Sequence, residues 1–287
     1  MISAYFCALA VLSVAYSIPL LGHHSSPHAP APSGSATNQT IPTGVAFAAD
    51  PSINVAAIYA ATQAATSQDL ASFPINQEQT HVSHIYGDWL NLPGVSALQF
   101  IADMDIDCDG VAYQCPGNTS GQPTTANGAL DATKVPYFVI PDQFRSSQLK
   151  SNCLGAIICD GNMFYAIFGD TNGDGVTTEV IGEASILLAQ TCFPNAGIDG
   201  NVGHDQPDVA YIVFGEQVPS GVGVTTIDIA ALKTLGDQQV KLLQTALNID
   251  GGASANSSEA SSAVYPSSTS YPLSVPSASP AVENIWA

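Results

Sequence analysis

The segment that decides the fold runs from Phe164 to Ala189 and reads FYAIFGDTNGDGVTTEVIGEASILLA. Its β-branched and aromatic start, Phe164–Phe168, predicts a strand that ends at Asp170. A glycine-rich loop follows, and apolar residues then recur at helical spacing, which predicts a helix over Glu183–Thr191. One acid at a strand end and one at a helix start can therefore face each other across a cleft.

Two such carboxyl groups suit the hydrolysis of a glycosidic bond. One must be protonated to donate to the leaving oxygen, and the other must be ionised to activate water or attack the sugar. A helix start at Glu183 would favour its ionised form, so Asp170 or a third group would have to hold the proton. The sequence leaves these two roles open.

The loop in this segment also offers a calcium alternative. Residues 170–175 read DTNGDG, which is the opening of a D-x-N-x-D-G calcium loop. A complete loop has an acid at its twelfth position, and here that position is Ile181. We therefore predict no metal ligands and no cofactor, and keep calcium as the second interpretation of this loop.

A predicted strand, Ala97–Ile106, runs into a row of alternating aspartates. If the chain stays extended, the period of two puts all four on one face; they are Asp103, Asp105, Asp107 and Asp109. Such a row is costly unless a positive group lies opposite, either the ammonium groups of a sugar polymer or a metal ion. The alternative is a solvated edge, because aspartate is common in turns.

A third polar segment, residues 200–214, reads GNVGHDQPDVAYIVF. Its loop leads into a predicted buried strand, Val209–Phe214. His204 and Asp205 could orient a substrate or tune a carboxyl group, although a local hydrogen-bonding turn is the simpler interpretation. The chain has no G-x-S-x-G motif, so a serine hydrolase is unsupported.

These segments lie in one predicted domain between low-complexity ends. The predicted parts are a cleaved secretory signal, a disordered linker, the domain and a Ser/Pro/Ala-rich tail, at residues 1–17, 18–44, 45–250 and 251–287. The domain should contain two more strands and two helices, at residues 137–140, 154–158, 55–65 and 227–247.

The net charge of the chain limits the classes of molecule that it can bind. Five Lys and Arg stand against 24 Asp and Glu, for a formal net charge of -19. Such a surface repels nucleic acid and anionic membranes and attracts a polycation. The simpler interpretation is that the acidity only aids solubility.

Cysteines and glycosylation triplets fit a secreted protein. Once Cys7 leaves with the signal, five cysteines remain. We expect two disulfides, Cys108–Cys115 and Cys159–Cys192, with Cys153 left free. Zinc is the alternative, but the spacings do not give two C-x-x-C pairs. Candidate N-glycosylation triplets begin at Asn38, Asn118 and Asn256.

Five ordered blocks resemble the fungal chitosanases of glycoside hydrolase family 75. They are MDIDCDG, GDTNG, GEASI, GNVGHD and DVAYIVF, at residues 104–110, 169–173, 182–186, 200–205 and 208–214. The resemblance implies endo-hydrolysis of the β-1,4 bonds between glucosamine units of chitosan, with inversion. It implies Asp170 and Glu183 as the catalytic pair. With it, we take as substrate-binding candidates the four aspartates of the row, Asn172, His204 and Asp205.

The strand, loop, acid and short helix also resemble the repeated unit of double-psi β-barrels. We therefore expect a mainly β fold with a few helices, built on a six-stranded double-psi-like β-barrel. We also expect a secreted monomer that does not associate with a membrane once the signal is cleaved. The alternative is a non-catalytic, expansin-like or calcium-dependent module that binds cationic wall polysaccharide. Glu183 discriminates between them, because a binder has no need of a second acid facing Asp170.

Overall fold

A computed structural model describes residues 42–118, 121–145, 149–173 and 178–250 of the chain. The predicted signal and tail and nearly all of the predicted linker lie outside the described residues. So do Asn38, Asn256 and Asp174, the third ligand position of the calcium-like loop.

Strands dominate the described residues, with three α-helices and two short 3-10 helices beside them. The strands are β1 (Asp69–Pro74), β2 (Val82–Tyr86), β3 (Leu98–Asp107), β4 (Tyr137–Pro141), β5 (Leu154–Cys159), β6 (Asn162–Asn172), β7 (Glu183–Ser185) and β8 (His204–Phe214). The helices are α1 (Val55–Ala64), α2 (Ile186–Cys192) and α3 (Ile229–Ala246), with 3-10 helices at Gly44–Phe47 and Asp142–Phe144. No helix among the described residues has the length and apolar character needed to cross a membrane.

The six strands from β3 to β8 form a closed barrel. Their order is β3-β7-β4-β6-β5-β8, and the barrel closes because β8 pairs with β3 as well as with β5. Two neighbouring pairs, β3 with β7 and β4 with β6, are parallel, and the others are antiparallel. The hairpin of β1 and β2 joins at β3. The prediction of a mainly β fold with a six-stranded barrel is confirmed.

The barrel interior explains the apolar runs in the sequence. Strands β4 and β5 are buried along their whole length, which requires apolar residues on both faces. Two fully buried tyrosines direct their hydroxyl groups at the acidic strand: Tyr211 donates to the carbonyl of Asp103 at 2.9 Å, and Tyr137 donates to that of Asp109 at 3.1 Å. The core therefore fixes the backbone of the aspartate row.

One aspartate joins α3 to the barrel and to the first described residues. Asp237 Oδ1 accepts from the Tyr165 hydroxyl at 2.8 Å and from the Asp50 N–H at 2.9 Å. Its Oδ2 accepts from Lys233 Nζ at 2.9 Å, and the same ammonium donates to the Ala48 carbonyl at 2.8 Å. This partly buried network holds three separate parts of the chain together.

The two expected disulfides are both present. Cys159 at the end of β5 is bonded to Cys192 at the end of α2, and Cys108 is bonded to Cys115 just after β3. Cys153 is a free thiol and is buried. The shorter disulfide closes the loop that contains Asp109, so it restrains one acid of the row.

The predicted helix start at Glu183 is wrong. Glu183 begins the short strand β7, and α2 begins three residues later at Ile186. The cap is Ser185, whose hydroxyl accepts from the Leu188 N–H, as serine does at helix starts. Pairing with β3 and β4 holds residues 183–185 extended. Glu183 therefore receives no help from a helix dipole.

The contact between α3 and the barrel yields a stability prediction. Gly236 lies on the buried face of α3, and a Cβ there would lie 2.4 Å from the Tyr165 ring. Alanine normally favours a helix over glycine by about 1 kcal/mol, but here the clash should outweigh that gain. We expect Gly236→Ala to lower the free energy of unfolding by about 1 to 3 kcal/mol, measured by urea titration.

The control is Thr234→Ala, an exposed substitution on the same helix. It should leave stability within about 0.5 kcal/mol or raise it slightly. A Gly236→Ala protein that is as stable as the parent would show that α3 does not pack against Tyr165 in this way.

Candidate active site

Three barrel strands bring their acids to one polar pocket of about 260 Å³, here called the first pocket. Asp107 comes from the end of β3, Asp170 from β6 and Glu183 from β7. Asp109 and Asn172 line it as well. The barrel thus unites the predicted catalytic pair with two of the four aspartates in the row.

The position of Glu183 follows from its strand register. β7 runs parallel to β3, with Asp105 opposite Glu183 and the Asp105 N–H donating to the Gly182 carbonyl at 2.7 Å. Gly182 has φ +109°, a conformation that favours glycine. Asn172 fixes the carboxyl group itself, because its amide donates to both Glu183 oxygens at 3.0 and 2.9 Å.

Burial and neighbouring charges raise the pKa of Glu183 to about 7. Burial is the largest cause, and the charges of Asp105, Asp170 and Asp109 add to it, while the hydrogen bonds from Asn172 act in the opposite direction. Glu183 therefore keeps its proton under mildly acidic conditions. The sequence left the two roles open, and the helix-start argument that favoured an ionised Glu183 does not apply, because Glu183 lies in β7.

Asp170 lies in a different setting. Its Oδ1 accepts from the N–H groups of Ala126 and Thr171, both at 2.7 Å. Backbone donors bind an ionised carboxylate more strongly than a neutral acid. The loop at Ala126 carries no motif, and it contributes a backbone group, so the sequence analysis missed its role.

The turn after β3 adds two further acids. The Asp109 N–H donates to Asp107 Oδ1 at 2.7 Å, and the Gln122 N–H donates to Asp109 Oδ1 at 2.7 Å. Burial raises the pKa of both carboxyl groups, and the charges of Asp170 and Glu183 raise that of Asp107 further. Because β3 ends at Asp107, the turn and not strand alternation places Asp109.

These acids could also surround a cation. Asp107, Asp109 and Asp170 each offer an oxygen within 4.8 Å of the others. Three carboxylate oxygens at this spacing could contact either a hard metal ion or an ammonium group.

The other two aspartates of the row line a separate depression of about 450 Å³, here called the second pocket. Asp103 and Asp105 meet Asp205 there, beside the turn between β1 and β2. Burial, followed by the charge of Asp105, raises the pKa of Asp103 to about 8. The predicted row is therefore divided between two pockets.

His204 is engaged elsewhere. Its Nε2 lies 2.8 Å from Asp208 Oδ1, and its ring stacks on Phe193 with centroids 3.8 Å apart. The partner of His204 is thus Asp208 and not Asp205, and the described lining of neither pocket includes His204.

Comparison with known proteins decides the family. Residues 104–241 match the model of a family described as "Fungal chitosanase of glycosyl hydrolase group 75". The matched region contains Asp170, Glu183 and all the lining residues of the first pocket. The chain belongs to this family. The resemblance seen in the sequence blocks is confirmed.

Relatives named endo-chitosanases agree with this. The chain is 45% identical over 216 residues to "Endo-chitosanase C" of Aspergillus oryzae, covering 71% of this chain and 56% of that protein. It is 41% identical over 146 residues to "Endo-chitosanase" of Aspergillus fumigatus, covering 43% of this chain and 60% of that protein. An "Endo-chitosanase" of Aspergillus oryzae is 34% identical over 168 residues, covering 48% of this chain and 67% of that protein. The aligned region thus spans little more than half the first of these relatives.

The buried acids predict an unusual dependence of stability on pH. Asp103 has a pKa of about 8 in the fold against 3.8 as its ordinary value. Between these values the folded state binds more protons than the unfolded state, so stability falls as pH rises from about 4 to about 8. Asp103→Asn should make this loss smaller by about 1 to 3 kcal/mol, measured by urea unfolding across that range.

The control is Asp160→Asn, which removes one exposed charge from the turn between β5 and β6. It should leave the slope of stability against pH unchanged. The burial of Asp103 would be contradicted by an equal slope in the parent and in Asp103→Asn.

Proposed function

We propose that this chain is an endo-chitosanase that cleaves the β-1,4 bonds between glucosamine units, with Glu183 as proton donor and Asp170 as the base. One observation carries the proposal. Two carboxyl groups from different strands face one polar pocket, and their surroundings favour opposite protonation states. Burial raises the pKa of Glu183 to about 7, while two backbone N–H groups donate to Asp170. General acid–base cleavage of a glycosidic bond needs this division.

The strand arrangement supports inversion at the anomeric carbon. β6 and β7 both pair with β4 and lie on opposite sides of it. Neighbouring strands are about 4.8 Å apart, so the two backbones are separated by about 9 to 10 Å. Inverting enzymes hold their carboxyl groups about 6.5 to 9.5 Å apart to leave room for a water. The barrel therefore favours a water-mediated displacement.

The steps follow from these positions. Glu183 donates its proton to the glycosidic oxygen as the bond to the anomeric carbon breaks. Asp170 removes a proton from a water that attacks this carbon from the opposite face, so the configuration inverts. The sugar chain leaves with a new hydroxyl group, and exchange of protons with solvent restores both carboxyl groups.

The surrounding charge supports a cationic substrate. The four lysines pair with Asp131, Glu216, Asp237 and Asp50, all away from the first pocket. Asp107 and Asp109 line that pocket beside the proposed pair. An ammonium-bearing sugar would supply the positive charge that this acidic lining attracts.

Secretion is part of the proposal. Two disulfides in the described fold suit an oxidising compartment, and the expected signal at residues 1–17 provides the route. A polymeric substrate outside the cell would require this location.

A calcium-binding module is the second candidate. The oxygens of Asp107, Asp109 and Asp170 that lie within 4.8 Å of one another favour it. Titration calorimetry of the apo protein with Ca²⁺ separates the candidates. Tight Ca²⁺ binding by a protein that does not cleave chitosan would favour the module, and no heat at millimolar Ca²⁺ with cleavage of chitosan would favour the enzyme.

The catalytic pair can be tested by conservative substitution. Glu183→Gln and Asp170→Asn each remove one carboxyl group while keeping its shape. Each should slow the fall in viscosity of a chitosan solution by about 10²- to 10⁴-fold, with an unchanged melting temperature or a higher one. Asp160→Asn should keep the parent rate, and none of the proteins should act on cellulose. Full activity in either site variant would remove that residue from the mechanism.

The proton donor can be identified from the pH profile. With a pKa of about 7 for Glu183, kcat/KM should fall as pH rises through this value, because the donor loses its proton. Asn172→Ala removes the hydrogen bonds that lower this pKa, so the alkaline limb should move to higher pH. An alkaline limb that stays in place in Asn172→Ala would assign it to another group.

A further inference from the structure

The second pocket has a chemistry of its own. Three acids line it, namely Asp103 and Asp105 from β3 and Asp205 from β8. The turn between β1 and β2 adds Glu78 and His81. Among the described residues, the ion pairs made by the four lysines include none of these acids. The pocket therefore holds an excess of negative charge that the protein itself does not neutralise.

The state of the Asp103 carboxyl group indicates that the second pocket binds a ligand. The residue is 5% exposed, and its Oδ1 is buried with no hydrogen-bond partner among the described residues. A buried acceptor left in this state destabilises the fold by about 1 to 3 kcal/mol. The Tyr211 hydroxyl donates to the backbone carbonyl of Asp103 and not to its carboxyl group. Asp103 lines the second pocket, so a donor bound there would lie beside this carboxyl group.

The backbone around the pocket accommodates this carboxyl group. A Cβ at residue 182 would lie 2.2 Å from Asp103 Oδ1, so the glycine before Glu183 makes room for it. The turn between β1 and β2 is also attached to the segment before Glu183, because the Gln77 and Gln79 amides donate to Thr178 at 3.3 and 3.2 Å. The second pocket is thus built against the segment that carries the proposed proton donor.

We propose that the second pocket is a subsite that binds the ammonium group of a glucosamine unit away from the bond being cleaved. This rests on the proposed function. Asp103 and Asp107 are four residues apart on β3, which corresponds to about 13 Å, so one sugar ring cannot occupy both pockets. Asp105, opposite Glu183, lies between them along the strand. A polymer bound along β3 would place two different, non-adjacent units in the two pockets.

An ammonium group fits this pocket better than a metal ion. Of the described residues, Asp107, Asp109 and Asp170 form a group of three acids with oxygens within 4.8 Å, and the acids of the second pocket form no such group. An ammonium presents three donors and can reach acceptors that are more widely spread. It would also offset the burial and the charges that raise the pKa of Asp103 to about 8.

Binding without turnover tests the subsite. The parent for the test is Glu183→Gln, and the ligand is glucosamine hexasaccharide, followed by calorimetry at low and moderate salt. Adding Asp205→Asn should weaken binding by about 2- to 5-fold, because this group is exposed. Adding Asp103→Asn should weaken it by about 10-fold or more, because a buried charged hydrogen bond is lost. Adding Asp160→Asn, a matched loss of one charge outside the pocket, should leave affinity unchanged.

Two results of this experiment would overturn the proposed subsite. Unchanged affinity in both pocket variants, or an equal loss in Asp160→Asn, would overturn the subsite. N-acetylglucosamine hexasaccharide lacks ammonium groups, so a loss of its binding in the pocket variants would also overturn it by revealing a distorted cleft. These results do not depend on hydrolysis. A wild-type protein that leaves chitosan viscosity unchanged would refute the proposed function and not the subsite.

Discussion

The packing of several carboxyl groups beside one another on the barrel strands is the constraint on which the site depends. Asp103, Asp107 and Glu183 make no ion pair among the described residues, and burial raises the pKa of each. A buried charge without a counter-ion is costly, so such groups retain protons. The same physical cost that weakens the fold supplies a proton donor and a surface that attracts cations.

The rest of the structure holds these acids in place. Buried tyrosines from β4 and β8 bind the backbone carbonyls of the row, and the Cys108–Cys115 disulfide closes the turn that carries Asp109. Asn172 orients Glu183 from the neighbouring part of β6. Strands β6 and β7 thus carry the proposed base and proton donor, and the loop at Ala126 adds a backbone donor to Asp170, as a reaction that depends on precise geometry requires.

The sequence was informative where local chemistry decides the structure. Apolar runs predicted β4, β5 and the cores of β6 and β8, and cysteine spacing predicted both disulfides. The prediction that a helix begins at Glu183 was wrong, because pairing of residues 183–185 with β3 and β4 overrides the helical pattern that follows. The hairpin of β1 and β2, whose strands carry no strong alternation, was not predicted. The division of the aspartate row into two pockets depends on the register of β3, β7 and β8, which is a tertiary property.

The protonation of Glu183 is the central claim, and NMR titration of its carboxyl carbon tests it most directly. In protein labelled with ¹³C at glutamate side chains, the resonance assigned through Glu183→Gln should titrate with a pKa of about 7. In Asp170→Asn the loss of a neighbouring negative charge should lower this pKa. A Glu183 resonance that titrates at the ordinary value of 4.5 would contradict the account, because Glu183 would then be ionised under the conditions in which it must donate.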